Sequence, residues 1–127
     1  AHRAPQHTTQ DAVALAACEV ATTLGAAAIV CFTATGSTVA RVSRNRPSTI
    51  IAAFTPSERV RNQLTLTWGV HPRLADDPKD SDDMVQIANK CSRESGLAEP
   101  GDRIVMTAGV PFGIHGTTNL IRVERVS

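Results

Sequence analysis

Residues 26–32 read AAAIVCF, an unbroken apolar run between Gly25 and Thr33. A strand with one wet face alternates apolar and polar residues. A run with no polar position suits a strand buried on both faces. Such a strand lies inside a sheet covered by helices on both sides, which narrows the fold to a layered α/β arrangement. The flanks agree. Asp11 to Leu24 (DAVALAACEVATTL) is rich in Ala and sets Val13, Ala17, Val20 and Leu24 at helical spacing. Thr8 or Thr9 can cap this helix and Gly25 ends it. Gly36 to Arg46 reads as a second helix, with Val39, Val42 and Ser43 inward and Arg41, Arg44 and Arg46 outward, stopped by Pro47.

The cycle repeats. Ser48 to Phe54 (STIIAAF) is a second buried strand, and Thr55-Pro56-Ser57-Glu58 starts a helix with Pro near its first turn. That helix carries Val60, Leu64 and Trp68 and closes at Gly69. Val70 to Leu74 is a short strand holding Pro72, which suits a sheet edge. Asp80 to Ser95 is an amphipathic helix with acidic residues at its start, where the helix dipole favours them, and an apolar stripe of Met84, Ile87, Ala88 and Cys91. Arg103 to Val110 is a fourth strand. Leu120 to Val126 (LIRVERV) alternates apolar and charged residues, as a strand with one wet face does.

Helical crossovers join parallel strands, whereas the link before the last strand holds no helix. The expected fold is therefore three-layer α/β/α with a mostly parallel five-stranded sheet and the last strand antiparallel; the expected strand order is 3-2-1-4-5. The 127 residues suit one domain, with residues 1–7 as a linker or disordered segment. The chain starts at Ala1, and the polar AHRAPQHTTQ suggests a piece of a longer protein or a processed chain.

Composition removes several function classes. Aromatics are 3% of residues, so the core is built from Ala, Val, Ile and Leu, and few rings are left to stack on bases. A net charge of +1 gives no electrostatic case for nucleic acid or an anionic membrane surface. No signal peptide and no apolar stretch of about 20 residues is present, so no membrane span is expected. Cys18, Cys31 and Cys91 are odd in number and lack metal-site spacing; a reduced, cytoplasmic setting is the simplest account.

Two loops lie where ligands bind in open α/β sheets, beyond the carboxyl ends of the strands. The first is Thr33-Ala34-Thr35-Gly36-Ser37-Thr38. It joins a buried strand to a helix N-terminus, whose N–H groups and dipole attract anions. Gly36 lets the backbone approach closely, and the hydroxyls can donate. It is neither a Walker A loop, having no Lys, nor a GxGxxG loop. Two readings stay open: a phosphate cradle, or a turn whose hydroxyls only cap the helix. The second loop, AGVPFGIHGTTN, offers Pro111, Gly113, His115 and Gly116, with His115 either an anion contact or a solvated side chain. Cys31 reads as a core residue rather than a nucleophile, because no companion His stands at a recognisable spacing. The acidic set Asp76, Asp77, Asp80, Asp82 and Asp83 reads as helix-start charge, with a metal site as the alternative.

The run DAVALAACEVATTLGAAAIVCFTATGSTVARVSRNRPSTIIAAFT resembles the C-terminal domain of pyruvate kinases. That family's pattern is an Ala-rich helix, an apolar strand ending in Thr-x-Ser/Thr-Gly-x-Ser/Thr, then a helix ending in Arg-Pro. Thr33, Thr35, Gly36, Thr38, Arg46 and Pro47 occupy those positions. RNQLTLTWGVHP and GDRIVMTAGVPFGIHGTTNLIRVERV resemble later family segments. The resemblance implies a parent enzyme that transfers a phosphoryl group from phosphoenolpyruvate to ADP, using Mg²⁺ and K⁺ in a separate barrel domain absent from this chain. The isolated domain is then not an enzyme and has no cofactor of its own. Its implied roles are regulation and assembly: an effector phosphate held by Thr33, Thr35, Gly36, Ser37 and Thr38, and a homo-oligomer contact near Leu120–Val126. Its implied partners are the rest of the chain and a phosphorylated small molecule. Members that answer to fructose 1,6-bisphosphate often carry Gly-Trp-Arg-Pro-Gly in the terminal loop. Here that stretch is Ala108-Gly109-Val110-Pro111-Phe112-Gly113. The missing Trp and Arg favour a monophosphate such as AMP, ribose 5-phosphate or glucose 6-phosphate, or a silent site. A stand-alone small α/β enzyme is the remaining alternative.

Overall fold

A computed structural model describes residues 9–109 and 119–127. The elements, in order, are α1 (Thr9–Leu24), β1 (Ala28–Phe32), α2 (Ser37–Arg44), β2 (Ile50–Thr55), α3 (Glu58–Leu64), β3 (Val70–Leu74), α4 (Ser81–Glu94), β4 (Arg103–Ala108) and β5 (Leu120–Arg125). The sheet runs β3-β2-β1-β4-β5. Every pairing is parallel except β4–β5, as the alternation of elements predicts. The expected linker at residues 1–7 lies outside the described residues.

β1 is the centre. All five of its residues are buried, and it pairs with β2 on one side and β4 on the other. Its odd-numbered side chains, Ile29 and Cys31, join Ile51, Ala53 and Val105 against Ala17, Cys18 and Ala21 of α1, Val39 and Val42 of α2, and Val60 and Leu64 of α3. Its even-numbered side chains, Ala28, Val30 and Phe32, join Ala52, Phe54, Ile104 and Met106 against Met84 and Ala88 of α4. Three helices thus cover one face and one covers the other. Small residues let α1 lie close to the sheet: Ala14, Ala17 and Ala21 are fully buried. On the α4 face, Phe32 and Phe54 meet edge-on with ring centroids 5.4 Å apart, a favoured aromatic geometry.

Both edge strands are handled by the placement of their main-chain groups. The Ala75 N–H donates to the Thr55 carbonyl at 2.9 Å, so odd-numbered residues of β3 aim their N–H groups at β2 and even-numbered ones aim outward. Pro72 falls on the outward parity, so its missing N–H removes no ladder bond. The Val70 N–H, also outward, is taken by the Thr67 carbonyl at 3.3 Å. The β3 edge is therefore poor in donors. On the other side, Val126 N–H donates to the Asp102 carbonyl at 2.7 Å. Even-numbered residues of β5 thus face β4, and Ile121, Val123 and Arg125 aim their N–H and C=O groups outward.

Four local expectations change. α3 begins after an N-cap at Ser57, whose side chain accepts from the Val60 N–H, so Pro56 stands outside the helix. α3 ends at Leu64, and Trp68 lies in the turn beyond it. Arg41 is not simply outward: its Nε lies 3.4 Å from Asp11, clasping α2 to the start of α1. β5 has no single wet face, because a two-residue period puts Arg122 and Glu124 with Leu120 and Val126, while Val123 shares a face with Ile121.

Phe54 is buried from both β1 and α4 sides, so Phe54→Ala is expected to destabilise the fold by about 3–5 kcal/mol. Denaturant unfolding followed by circular dichroism checks this; a loss below about 1 kcal/mol would contradict the packing described.

Candidate functional site

The first candidate loop leaves β1 at the carboxyl edge of the sheet. The Thr33 N–H donates to the Phe54 carbonyl at 2.9 Å, so pairing with β2 continues one residue past the strand. The Thr33 side chain is buried, and its Oγ1 accepts from the Gly36 N–H at 2.7 Å. This closes a tight turn over three residues. Gly36 sits at φ 93°, ψ −3°, the left-handed region that favours glycine. A Cβ there would meet Leu64 Cδ2 at 3.7 Å and Val60 Cγ1 at 3.8 Å, ordinary contact distances, so conformation rather than space demands glycine.

Gly36 is also the N-cap of α2, and it supplies no side-chain cap. Three helices follow strands at this edge. α3 is capped by Ser57 and carries Glu58 in its first turn; α4 is capped by Asp80 and carries Asp82 and Asp83. α2 has neither a side-chain cap nor an acidic residue in its first turn. Of the three positive helix ends, its own is the one with no carboxylate, its Ser37 N–H being met instead by the neutral Thr35 hydroxyl at 3.3 Å.

The predicted site residues divide into two groups. Thr35 is exposed, and Gly36 and Ser37 are partly so. Thr35 Oγ1 accepts from the Ser37 N–H at 3.3 Å and donates to Ser37 Oγ at 3.2 Å. Both bonds are long, so a ligand with better acceptors can replace them. Thr33 and Thr38 are buried and belong to the frame: Thr33 ties the turn, and Thr38 packs beside Val39 at the start of α2. The arrangement is a shallow turn with backbone N–H groups, two surface hydroxyls and a helix end of positive potential. It can hold one tetrahedral anion. Pro111, Gly113, His115 and Gly116 lie outside the described residues.

Two further hydroxyls share this edge. Thr55 ends β2, and its Oγ1 accepts from the Ser57 N–H at 3.2 Å. Thr107, near the end of β4, is fully buried, and its Oγ1 has no hydrogen-bond partner among the described residues. The register puts Thr33, Thr55 and Thr107 on the α1–α3 face of three adjacent strands. The signal was in the sequence, since CFT, AFT and VMT close the three apolar runs.

Other candidate chemistries find no support. Cys31 is wholly buried; burial, and then the neighbouring Cys18 thiol, push its pKa up and keep it protonated and unreactive. Cys18 is raised by burial and by Glu19, Cys91 by burial and by Glu94. The acidic run forms a reciprocal helix cap: Asp83 N–H donates to Asp80 Oδ1 at 2.8 Å, and Lys79 N–H donates to Asp83 Oδ2 at 2.9 Å. Among the described residues, no group of three or more His, Cys, Asp or Glu could hold a metal ion. No helix among them is long and apolar enough to cross a membrane.

Comparison with known proteins agrees with this architecture. The family model described as the pyruvate kinase alpha/beta domain matches residues 11–124. The chain is 42% identical over 123 residues to a pyruvate kinase of Methylorubrum extorquens, covering 97% of this chain and 26% of that protein. It is 40% identical over 118 residues to a pyruvate kinase of Clostridium acetobutylicum, covering 93% and 25%. It is 44% identical over 116 residues to pyruvate kinase 2 of Synechocystis, covering 91% and 20%. The chain thus spans about a quarter of the length of the curated relatives it matches.

Gly36→Ala is expected to destabilise the chain by about 1–2 kcal/mol, through its left-handed φ rather than a clash. Thr33→Val, which removes the acceptor of the Gly36 N–H, should cost a similar amount, about 1–3 kcal/mol. Urea unfolding of both variants measures this; unchanged midpoints would show that the turn is not held as described.

Proposed function

The chain belongs to the pyruvate kinase alpha/beta domain family, and from that premise we propose that it is the regulatory and assembly module of a cytoplasmic pyruvate kinase, binding a phosphorylated small molecule at residues 33–38. The observation that carries this reading is the positive N-terminus of α2, which has no acidic residue in its first turn and is set behind a glycine turn flanked by the Thr35 and Ser37 hydroxyls. In this reading the effector's phosphate replaces the long Thr35–Ser37 bond and accepts from both hydroxyls and from first-turn N–H groups. Thr33 and Thr38 hold the frame. Without the Trp and Arg of the bisphosphate-responsive pattern, a monophosphate suits the loop better. Phosphoryl transfer from phosphoenolpyruvate to ADP, with its Mg²⁺ and K⁺, belongs to the part of the enzyme beyond this chain, and the module by itself turns over no substrate.

Assembly follows from β5. Its outward groups at Ile121, Val123 and Arg125 would pair antiparallel with a second copy across a two-fold axis centred on Val123. That register sets Arg122 opposite the second copy's Glu124, and the reverse, so opposite charges meet twice. Within one chain the same two residues already pair, Arg122 Nη2 lying 2.9 Å from Glu124 Oε1.

Two measurements test this. Calorimetric titration with AMP, ribose 5-phosphate, glucose 6-phosphate and fructose 1,6-bisphosphate should find a monophosphate that binds. Thr35→Ala with Ser37→Ala should weaken it at least about tenfold, as lost hydrogen bonds to a charged group do. Unchanged affinity in the double variant would move the site elsewhere, and no binding of any ligand would leave a structural module with a silent loop. For assembly, sedimentation should show Arg122→Glu weakening self-association and Arg122→Glu with Glu124→Arg restoring it. Equal weakening by both would refute the proposed register.

A further inference from the structure

Two large apolar side chains stand almost entirely in water: Leu66 is 88% exposed and Trp68 is 96% exposed. Both lie in the turn between α3 and β3. The turn is firmly built. The Leu66 and Thr67 N–H groups donate to the Gln63 and Leu64 carbonyls at 3.2 and 3.0 Å, and the Thr65 hydroxyl donates to the Asn62 carbonyl at 2.6 Å. Gly69, at φ 79°, completes it. The Trp68 backbone is therefore fixed within the turn, and its indole faces water. Trp68 is the chain's single tryptophan, while the core is filled without it.

Beside Trp68 lies a cavity of about 650 Å³ with Pro47, Ile50 and Ile51 in its wall. It sits at the amino ends of the strands, opposite the 33–38 loop. Residues 63–69, QLTLTWG, carry no charge. Basic side chains outnumber acidic ones around them: Arg46 and His71 line the cavity, and Arg61 and Arg73, with Glu94, line the next groove along β3.

We propose that the Leu66–Trp68 turn is the seat on which the larger remaining part of the parent polypeptide packs, through an apolar face edged with carboxylates. This rests on the reading of the chain as one module of a longer pyruvate kinase. An exposed apolar patch with an indole at its centre, carried on a well-bonded turn, is what an interface anchor looks like before it is covered. Length favours this occupant, since relatives that match nearly the whole of this chain are about four times longer. Topology disfavours a second copy. The turn leads into β3 at one edge of the sheet, and β5, where a second copy would pair, is the other edge. A β5 dimer leaves Trp68 bare.

Hydroxyl-radical footprinting of the full-length enzyme tests the proposal, with an unstructured peptide of sequence NQLTLTWGVH as the reference. Trp68 should be oxidised about tenfold more slowly in the enzyme than in the peptide, as expected when an exposed indole is covered. Oxidation at the peptide's rate would overturn the proposal. So would protection that disappears in the Arg122→Glu enzyme as it dissociates, because the cover would then be a second copy. Failure of the underlying reading has a separate sign: the full-length protein would make no ATP from phosphoenolpyruvate and ADP, whatever the footprint.

Discussion

The structure depends on one strand whose backbone is hydrogen-bonded on both sides and whose side chains are buried on both faces. β1 has no polar position in which to place water, and its N–H and C=O groups are satisfied only by neighbours lying parallel to it. Parallel neighbours require crossover helices, and the helices must cover both faces. The alternation of the whole chain follows from that requirement. So does the location of the candidate site, because a buried parallel strand delivers the chain to a helix N-terminus at its carboxyl end.

The 33–38 loop shows how the core reaches into function. Thr33 continues the β1–β2 ladder with its backbone and ties down Gly36 with its hydroxyl. Gly36 then opens α2 with no side chain of its own to cap it. The neighbouring helices neutralise their own N-termini with Ser57 and with Asp80, Asp82 and Asp83. The α2 end thus differs from its two neighbours in carrying no carboxylate. The same logic separates the sheet edges. Pro72 removes a donor from β3 and leaves that edge poor in donors, whereas β5 keeps its outward donors and acceptors.

Much of this was legible in residue order. The apolar runs located β1, β2 and β4, the helical spacing located α1 and α4, and Pro72 marked an edge. The resemblance to pyruvate kinases rested on Thr33, Thr35, Gly36, Thr38, Arg46 and Pro47, in a stretch that the family match covers. Other features had no local signal. Thr33 and Thr38 belong to the same motif as Thr35 and Ser37, yet two are buried and two face outward. Arg41 has the spacing of a solvated residue and instead reaches Asp11 of α1. Trp68 fits the helical period of α3, but the helix ends at Leu64 and the indole is left in water.

The sequence by itself determined the fold class, the parallel run with an antiparallel last strand and the position of the hydroxyl loop, because periodicity, glycine and proline act through the backbone over a few residues. Only the tertiary structure decided which hydroxyls are reachable, how Thr35 and Ser37 bond at the start of α2 and which sheet edge keeps its outward donors. Those depend on what packs against each side chain from elements far away in the chain, and no local pattern carries that information.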